Sequence, residues 1–481
     1  MSRKLNKAII KSVSGRILTY IIQLASLAIY ARLFSPEEFG VIASIQVFVI
    51  FFQMLADIGI GPAIINEDKF ESNKRNGVFT VTAIFGIILA VLFFFFSYAL
   101  NSFYNGYEYQ QIATFVCAAI FFYSLNIVPM TAMNKDTKFI HLAFVDVFVE
   151  CFSLFVVYIL YIMSFGLLAL AARYSTQAVV KFLIIWFLSR KTELGRPSFG
   201  SELYHIKSIL KFSLYQFGFN FINYFSRNLD NILIAKYFGM TSLGIYEKSY
   251  QLMRYPLMIT TFAMTPAIQP ILTKFRNEKA MIIREHNRLT SILLSMSLPI
   301  AVFIYLNSSN IVLTLLGEQW LAIDPLLKIF SVMIPIQAVL STSGSFFQVM
   351  NQPRLLFISG LISAVVNVTA IVTGIIIGEI KYVAYALVIG FSINYVQAYF
   401  ILFKYCFVSS SKEFYLRQLM SVRVMLPPIV LYYLIIHIFL PSYNHSPFVS
   451  LSINAVIGLV SIIVFFVHIK EKLSDSNINY K

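Results

Sequence analysis

Residues 212–239 read FSLYQFGFNFINYFSRNLDNILIAKYFG, a run long enough at about 1.5 Å per residue to cross a hydrocarbon core roughly 30 Å thick. Five of its strongly polar members, Gln216, Asn220, Asn223, Arg227 and Asp230, recur every three or four residues, which places them on one stripe of an α-helix. A charge at the bilayer centre costs about 2.5–3.5 kcal/mol on insertion scales, so Arg227 and Asp230 are expected to face a bundle interior or a watery cavity. The stripe reads as a cavity lining, with hydrogen bonding to neighbouring helices as the alternative.

The rest of the chain has the same character. Of 481 residues, 58% are hydrophobic and only 12% charged, which excludes an ordinary soluble protein. Apolar segments fall near 14–33, 39–65, 77–99, 110–133, 139–163, 166–188, 212–238, 245–271, 289–307, 325–348, 355–378, 382–403, 421–440 and 447–469. The predicted fold class is therefore an all-α polytopic membrane protein with about fourteen transmembrane helices. The net charge of +15 sits in short loops, so it speaks for topology and against a nucleic-acid partner. With both termini on one side, 28 Lys and Arg lie in loops on that side and four, Arg32, Lys236, Lys248 and Lys381, on the other. That bias places both termini in the cytoplasm. The basic N-terminus leads into a long apolar run without a small-residue cleavage site, and is expected to be a retained first span. Cys117, Cys151 and Cys406 lack ligand spacing and are expected to be small core residues, not disulfides.

Five cations fall inside spans: Arg173, Lys181, Arg227, Arg254 and Lys328. The acids there are Asp57, Asp146, Glu150 and Asp230, and Asp146 and Glu150 are one helical turn apart, placed to be internal partners of the buried cations. Lys328 is close enough to its span end to snorkel.

An internal repeat orders the spans. ARLFSPEEFGV at 31–41 aligns without gaps to AKYFGMTSLGI at 235–245, and the same offset of 204 lays Pro62-Ala63-Ile64 on Pro266-Ala267-Ile268. Two parallel six-helix lobes follow, 1–200 and 201–410, with residues 411–481 as two added helices and a cytoplasmic tail. In this register Arg16 lies on Asn220, Thr19 on Asn223, Gln23 on Arg227 and Ser26 on Asp230, so both lobes open with a polar-striped helix.

The sequence contains no phosphate-cradling loop followed by Lys-Ser/Thr, and its six histidines are scattered. No catalytic residue, metal site or cofactor is expected. A polysaccharide polymerase or sugar transferase would gather carboxylates or His at an aqueous face, where the loops here are short. A cationic cavity suits an anionic substrate, whereas a cavity for cationic drugs should be acidic. The candidate substrate-binding residues are Arg227, Arg254, Arg173, Lys181, Arg16, Asn220, Asn223 and Asn231. Asp230 and Asp57 are the candidates for coupling to H⁺ or Na⁺, since a mid-membrane carboxyl can exchange a proton or coordinate a cation.

RNLDNILIAKYFGMTSLGIYEKSYQLMRYP at 227–256, with ARLFSPEEFGVIAS at 31–44, resembles the Wzx-type polysaccharide repeat-unit flippases, notably the colanic-acid and teichuronic-acid exporters. These belong to the multidrug/oligosaccharidyl-lipid/polysaccharide exporter superfamily, which also holds MATE-like drug antiporters. The resemblance implies an alternating-access fold in a bacterial inner membrane. The implied substrate is an undecaprenyl-diphosphate-linked oligosaccharide moved from the cytoplasmic to the periplasmic leaflet. Arg227, Asp230 and Asn231 match the subgroup's motif. A monomer is expected, with other polysaccharide-assembly proteins as potential partners and a MATE-like small-molecule antiporter as the alternative function.

Overall fold

The structure, a computed structural model, describes the backbone of residues 2–67, 70–258, 261, 265–439 and 446–475. Side chains are described within these ranges outside 2–17, 62, 63, 66, 205–220, 222, 223, 265–267, 270, 439 and 464–475. The helices in order are α1 (Ser2–Leu33), α2 (Pro36–Asp57), α3 (Ile60–Asn66), α4 (Ser72–Tyr104), α5 (Tyr109–Lys135), α6 (Phe139–Ile162), α7 (Leu167–Leu188) and α8 (Ile206–Leu257). Then come α9 (Thr265–Leu272), α10 (Lys279–Leu315), α11 (Asp324–Ser331), α12 (Met333–Leu340), α13 (Ser343–Val349), α14 (Pro353–Ile377), α15 (Ile380–Ile401), α16 (Ser411–Leu434) and α17 (Pro447–Asp475). Grouped at their breaks, they make the fourteen-helix, all-α membrane protein that hydropathy predicts. Among the described residues, nine helices are individually long and apolar enough to span a bilayer.

Two expected spans are broken. Residues 39–65 divide where Ile58 and Gly59 take positive φ of 33° and 75°. Pro62 has no N–H to offer the carbonyl of residue 58, which weakens the helix at this break. Residues 325–348 bend by 50° between Glu318–Ser331 and Met333–Val349, where Pro335 denies a donor to Ser331 in the same way.

The chain divides into two compact units, Ser14–Glu247 and Met1–Val13 with Lys248–Lys481. In the first unit α5 packs against α4, α7 and α2, and α6 lies on α7. The turn from α1 into α2 is set by a capping box. Ser35 Oγ accepts from the Glu38 N–H at 3.3 Å, Glu38 Oε2 accepts from the Ser35 N–H at 2.8 Å, and Pro36 opens the helix. Just inside this turn the two copies of the repeat meet. A Cβ added to Gly40 would lie 1.8 Å from the Met240 carbonyl oxygen, and one added to Gly244 would lie 1.9 Å from that of Pro36. Both contacts pair position 36 or its repeat equivalent with position 40 or its equivalent, so the arrangement is isologous, as at a two-fold dimer interface. Tyr109, fully buried on α5, sits beneath it, 2.6 Å from Ser44 Oγ and 3.9 Å from Met240 Sδ.

The segment after α7 is strapped over the ends of the helices. Thr80 exchanges hydrogen bonds of 2.8 and 2.9 Å with Gly200, Trp186 donates to the Pro197 carbonyl at 3.0 Å, and Arg75 donates to that of Leu194.

In the second unit α10 packs against α12, α16 and α17, and α14 against α15. Its core is aromatic: fully buried His286 makes edge or tilted ring contacts with Phe346, Tyr399, Phe403, Phe407 and Phe414. Between α10, α16 and α17 lies an apolar cavity of about 290 Å³ lined by Pro299, Phe303, Pro428, Tyr432 and Leu459 among others. Near it Asn307 donates to Tyr432 Oη at 2.9 Å and accepts from Asn454 at 2.6 Å.

Candidate functional site

The striped stretch occupies α8. Asp230 and Tyr246 are sixteen residues apart, which in a straight helix would separate them by about 24 Å. Instead the Tyr246 hydroxyl donates to Asp230 Oδ2 at 2.6 Å. The chain achieves this by doubling back at Gly239, whose φ of 83° and ψ of 172° only a residue without a side chain adopts readily. Asp230 is 7% exposed, and its Oδ1 also accepts from the Asn231 N–H at 2.8 Å. Tyr224 donates to the Val47 carbonyl at 2.6 Å, and Phe221 and Phe225 pack edge-on against Phe51, which fixes this helix on α2. Arg227 is exposed and Asn231 half-buried, so one turn of α8 offers a cation outward and a carboxylate inward. The side chains of Arg16, Asn220 and Asn223 lie outside those described.

A second set of charges lies between α6 and α7. Arg173 Nη2 meets Glu150 Oε1 at 2.8 Å, and Lys181 Nζ meets Asp146 Oδ1 at 2.7 Å. The acids one turn apart thus face the two cations read from the sequence. Gln177, between those cations on α7, donates to Glu150 Oε2 at 2.8 Å and to Ser153 Oγ at 3.2 Å. The Arg173 guanidinium also stacks 4.8 Å over the Tyr30 ring of α1. Gln177, Ser153 and Tyr30 belong to no motif, although the spacing of Arg173, Gln177 and Lys181 at four-residue steps marks one helical face.

The other candidates are more dispersed. Asp57 ends α2, and its Oδ1 accepts from the Gly61 N–H at 3.4 Å across the helix break, a capping position. Arg254 is exposed near the end of α8. Lys328 pairs with Asp324 at 2.9 Å, one turn earlier. Lys248, which loop counting assigns to an outward loop, is instead a helical residue only 8% exposed that donates to Gln251 at 2.8 Å. The reason is that α8 runs on past the turn at Gly239, so the loop expected there is a single residue long in effect.

The family described as polysaccharide biosynthesis protein matches residues 29–325, more than half of the chain. The chain belongs to this family. The family match thus runs from the end of α1 into α11 and takes in the duplicated segment, the α6–α7 charges and α8. The teichuronic acid biosynthesis protein TuaB of Bacillus subtilis (strain 168) is 24% identical, over 69% of this chain and 68% of its own. The lipopolysaccharide biosynthesis protein WzxC of Escherichia coli (strain K12) is 22% identical, over 85% of this chain and 83% of its own. Among solved structures, the lipid II flippase MurJ in an inward closed conformation has a TM-score of 0.76 at 15% identity, covering 96% of this chain and 99% of that one. An inward-facing multidrug resistance MATE transporter has a TM-score of 0.60 at 14% identity, with 86% and 99% covered. The two structural likenesses show the fold of this chain.

Proposed function

We propose that the chain is a flippase that moves undecaprenyl-diphosphate-linked oligosaccharide repeat units across a bacterial inner membrane for surface polysaccharide assembly. The observation that carries this reading is a set of charged side chains, Asp230, Glu150, Arg173 and Lys248, held inside otherwise apolar helices of a polysaccharide-biosynthesis family member. Relatives named for teichuronic acid and lipopolysaccharide biosynthesis support a role in polysaccharide assembly. In this reading both termini are cytoplasmic, lobes 1–200 and 201–410 alternate about the substrate, and 411–481 is appended. Arg227, Arg254, Arg173, Lys181 and Asn231, with Arg16, Asn220 and Asn223, contact the diphosphate and acidic or polar sugars. Asp230 or Asp57 couples movement to H⁺ or Na⁺. The protein works as a monomer that hands its lipid-linked substrate to other polysaccharide-assembly proteins, and performs no covalent chemistry.

The test is complementation of a strain lacking its own repeat-unit flippase. The expected result is restored surface polymer, with lipid-linked repeat units accumulating on the inner leaflet when the protein is absent. The MATE fold motivates the rival reading, a small-molecule antiporter. Raised resistance to cationic drugs without any restored polymer would favour that rival.

A further inference from the structure

The two carboxylates between α6 and α7 are used differently. Asp146 has one described partner, Lys181, and both are about a third exposed, at 38% and 31% of the side chain. Glu150 is 7% exposed and doubly held, Oε1 by Arg173 and Oε2 by Gln177, with Ser153 behind Gln177. Gln177 gives this carboxylate a hold on the oxygen that Arg173 does not use. Arg173 is the opposite case. A guanidinium carries five N–H donors. Here one nitrogen, Nη2, serves Glu150, Nε is buried without a partner, and 33% of the side chain stays exposed. Its plane is held by the Tyr30 ring, not by a second acceptor. The anion is therefore anchored independently of the cation, while the cation keeps donors to spare.

Building on the flippase reading, we infer that Glu150 is the resident counter-anion of Arg173, which the diphosphate of the lipid-linked substrate displaces. An unpaired cation inside a membrane domain is costly, so an empty site needs an internal carboxylate. A phosphate offers two oxygens in the fork geometry that a guanidinium matches, and can outcompete the single 2.8 Å contact from Glu150. When the substrate leaves, Glu150 is still in place on Gln177 to take the guanidinium back. Arg173 is then a binding residue, and Glu150 is a positioning residue that sets affinity by competition. It keeps the site from holding its cargo too tightly.

The experiment titrates farnesyl diphosphate into the full-length protein in phosphatidylcholine nanodiscs, with heat of binding as the readout. Glu150→Gln is expected to tighten binding about tenfold, equivalent to ~1.4 kcal/mol. Arg173→Gln is expected to weaken it by at least as much, and Glu150→Gln added to Arg173→Gln is expected to change nothing further. Glu150→Asp, which keeps the charge but retracts it, serves if the glutamine variant misfolds and should tighten binding by a smaller factor. Unchanged or weakened binding in a folded Glu150 variant overturns the inference. So does a tightening that persists without Arg173. Phosphatidylglycerol in the discs separates the two phosphate sources: full competition by that lipid at wild-type Arg173 means the site takes bulk headgroups, and also overturns it. Polymer export in cells separates the two levels. A wild type that restores export while its diphosphate affinity ignores Glu150 removes the counter-anion role alone, whereas a wild type that restores no export removes the flippase reading first.

Discussion

Replacing Gly40 by alanine puts one methyl group where the two repeat copies touch. That carbon would sit 1.8 Å from the Met240 carbonyl oxygen, and Cβ atoms essentially never approach other atoms within 3.0 Å, so the segments must part by at least 1.2 Å. The obstacle is backbone and cannot rotate aside. An obstacle that cannot rotate aside puts the overpacking at the upper end of its usual range, about 2–3 kcal/mol, and the helix preference of Ala over Gly returns about 1 kcal/mol inside α2. A residual of one to two kcal/mol shifts a closed-to-open ratio by a factor of roughly 5–30. The probe is Ser44→Cys, one helical turn from Gly40 and fully buried, in a chain whose Cys117, Cys151 and Cys406 are replaced by alanine. Labelling by a membrane-impermeant maleimide should accelerate by about that factor of 5–30 when Gly40→Ala is added. Gly244→Ala should accelerate it comparably, because its methyl would strike Pro36 across the same interface. The double variant should fall well short of the product, since a gap opened for one methyl admits the other. Unchanged labelling in either single variant, or full additivity in the double, refutes the account.

Three further outcomes are expected. Arg227→Gln, at an exposed position, should leave thermal unfolding of the purified protein unchanged while polymer export in the complemented strain falls at least tenfold, about 1.4 kcal/mol in binding terms; normal export would remove Arg227 from the substrate path. Asn307→Leu strips partners from Tyr432 and Asn454 together and should cost about 1–3 kcal/mol, seen as earlier melting and earlier proteolysis between α16 and α17. In the loop between α4 and α5 the Tyr107 hydroxyl donates to Glu37 at 2.8 Å, and burial, then that carboxylate, push it up to about 12. The protonated form is the one the fold favours, so this contact is fully present below about pH 10 and is lost as pH rises toward 12; limited proteolysis of the loop should follow that curve in the wild type and be flat in Tyr107→Phe.

The helix count was readable because apolar length is a sum over some twenty residues, which single exceptions do not spoil. The repeat was equally readable, and its offset of 204 aligns Gly40 with Gly244, the two glycines at the contact. The breaks at Ile58 and Val332 were not, since a proline inside an apolar run leaves hydropathy intact while removing one donor. For the charges, spacing found Asp146 with Glu150 and placed Asp230 on a stripe, yet it could not choose their partners, because pairing between α6 and α7 depends on register between helices. Lys248 shows the same limit: a cation a few residues past a turn looks like a loop residue until the fold-back at Gly239 makes Asp230 and Tyr246 neighbours.

The duplicated segment also records a division of labour. Positions equivalent under the 204-residue offset are Ser26 with Asp230 and Ser44 with Lys248. All four are buried, the serines at 2% and 0% and the charged residues at 7% and 8%. In an assembly of two identical subunits every side chain is present twice, so a buried carboxylate in one copy implies a carboxylate in the other. Two similar segments within one chain are free of that constraint, and here one carries small neutral hydroxyls where the other carries charge.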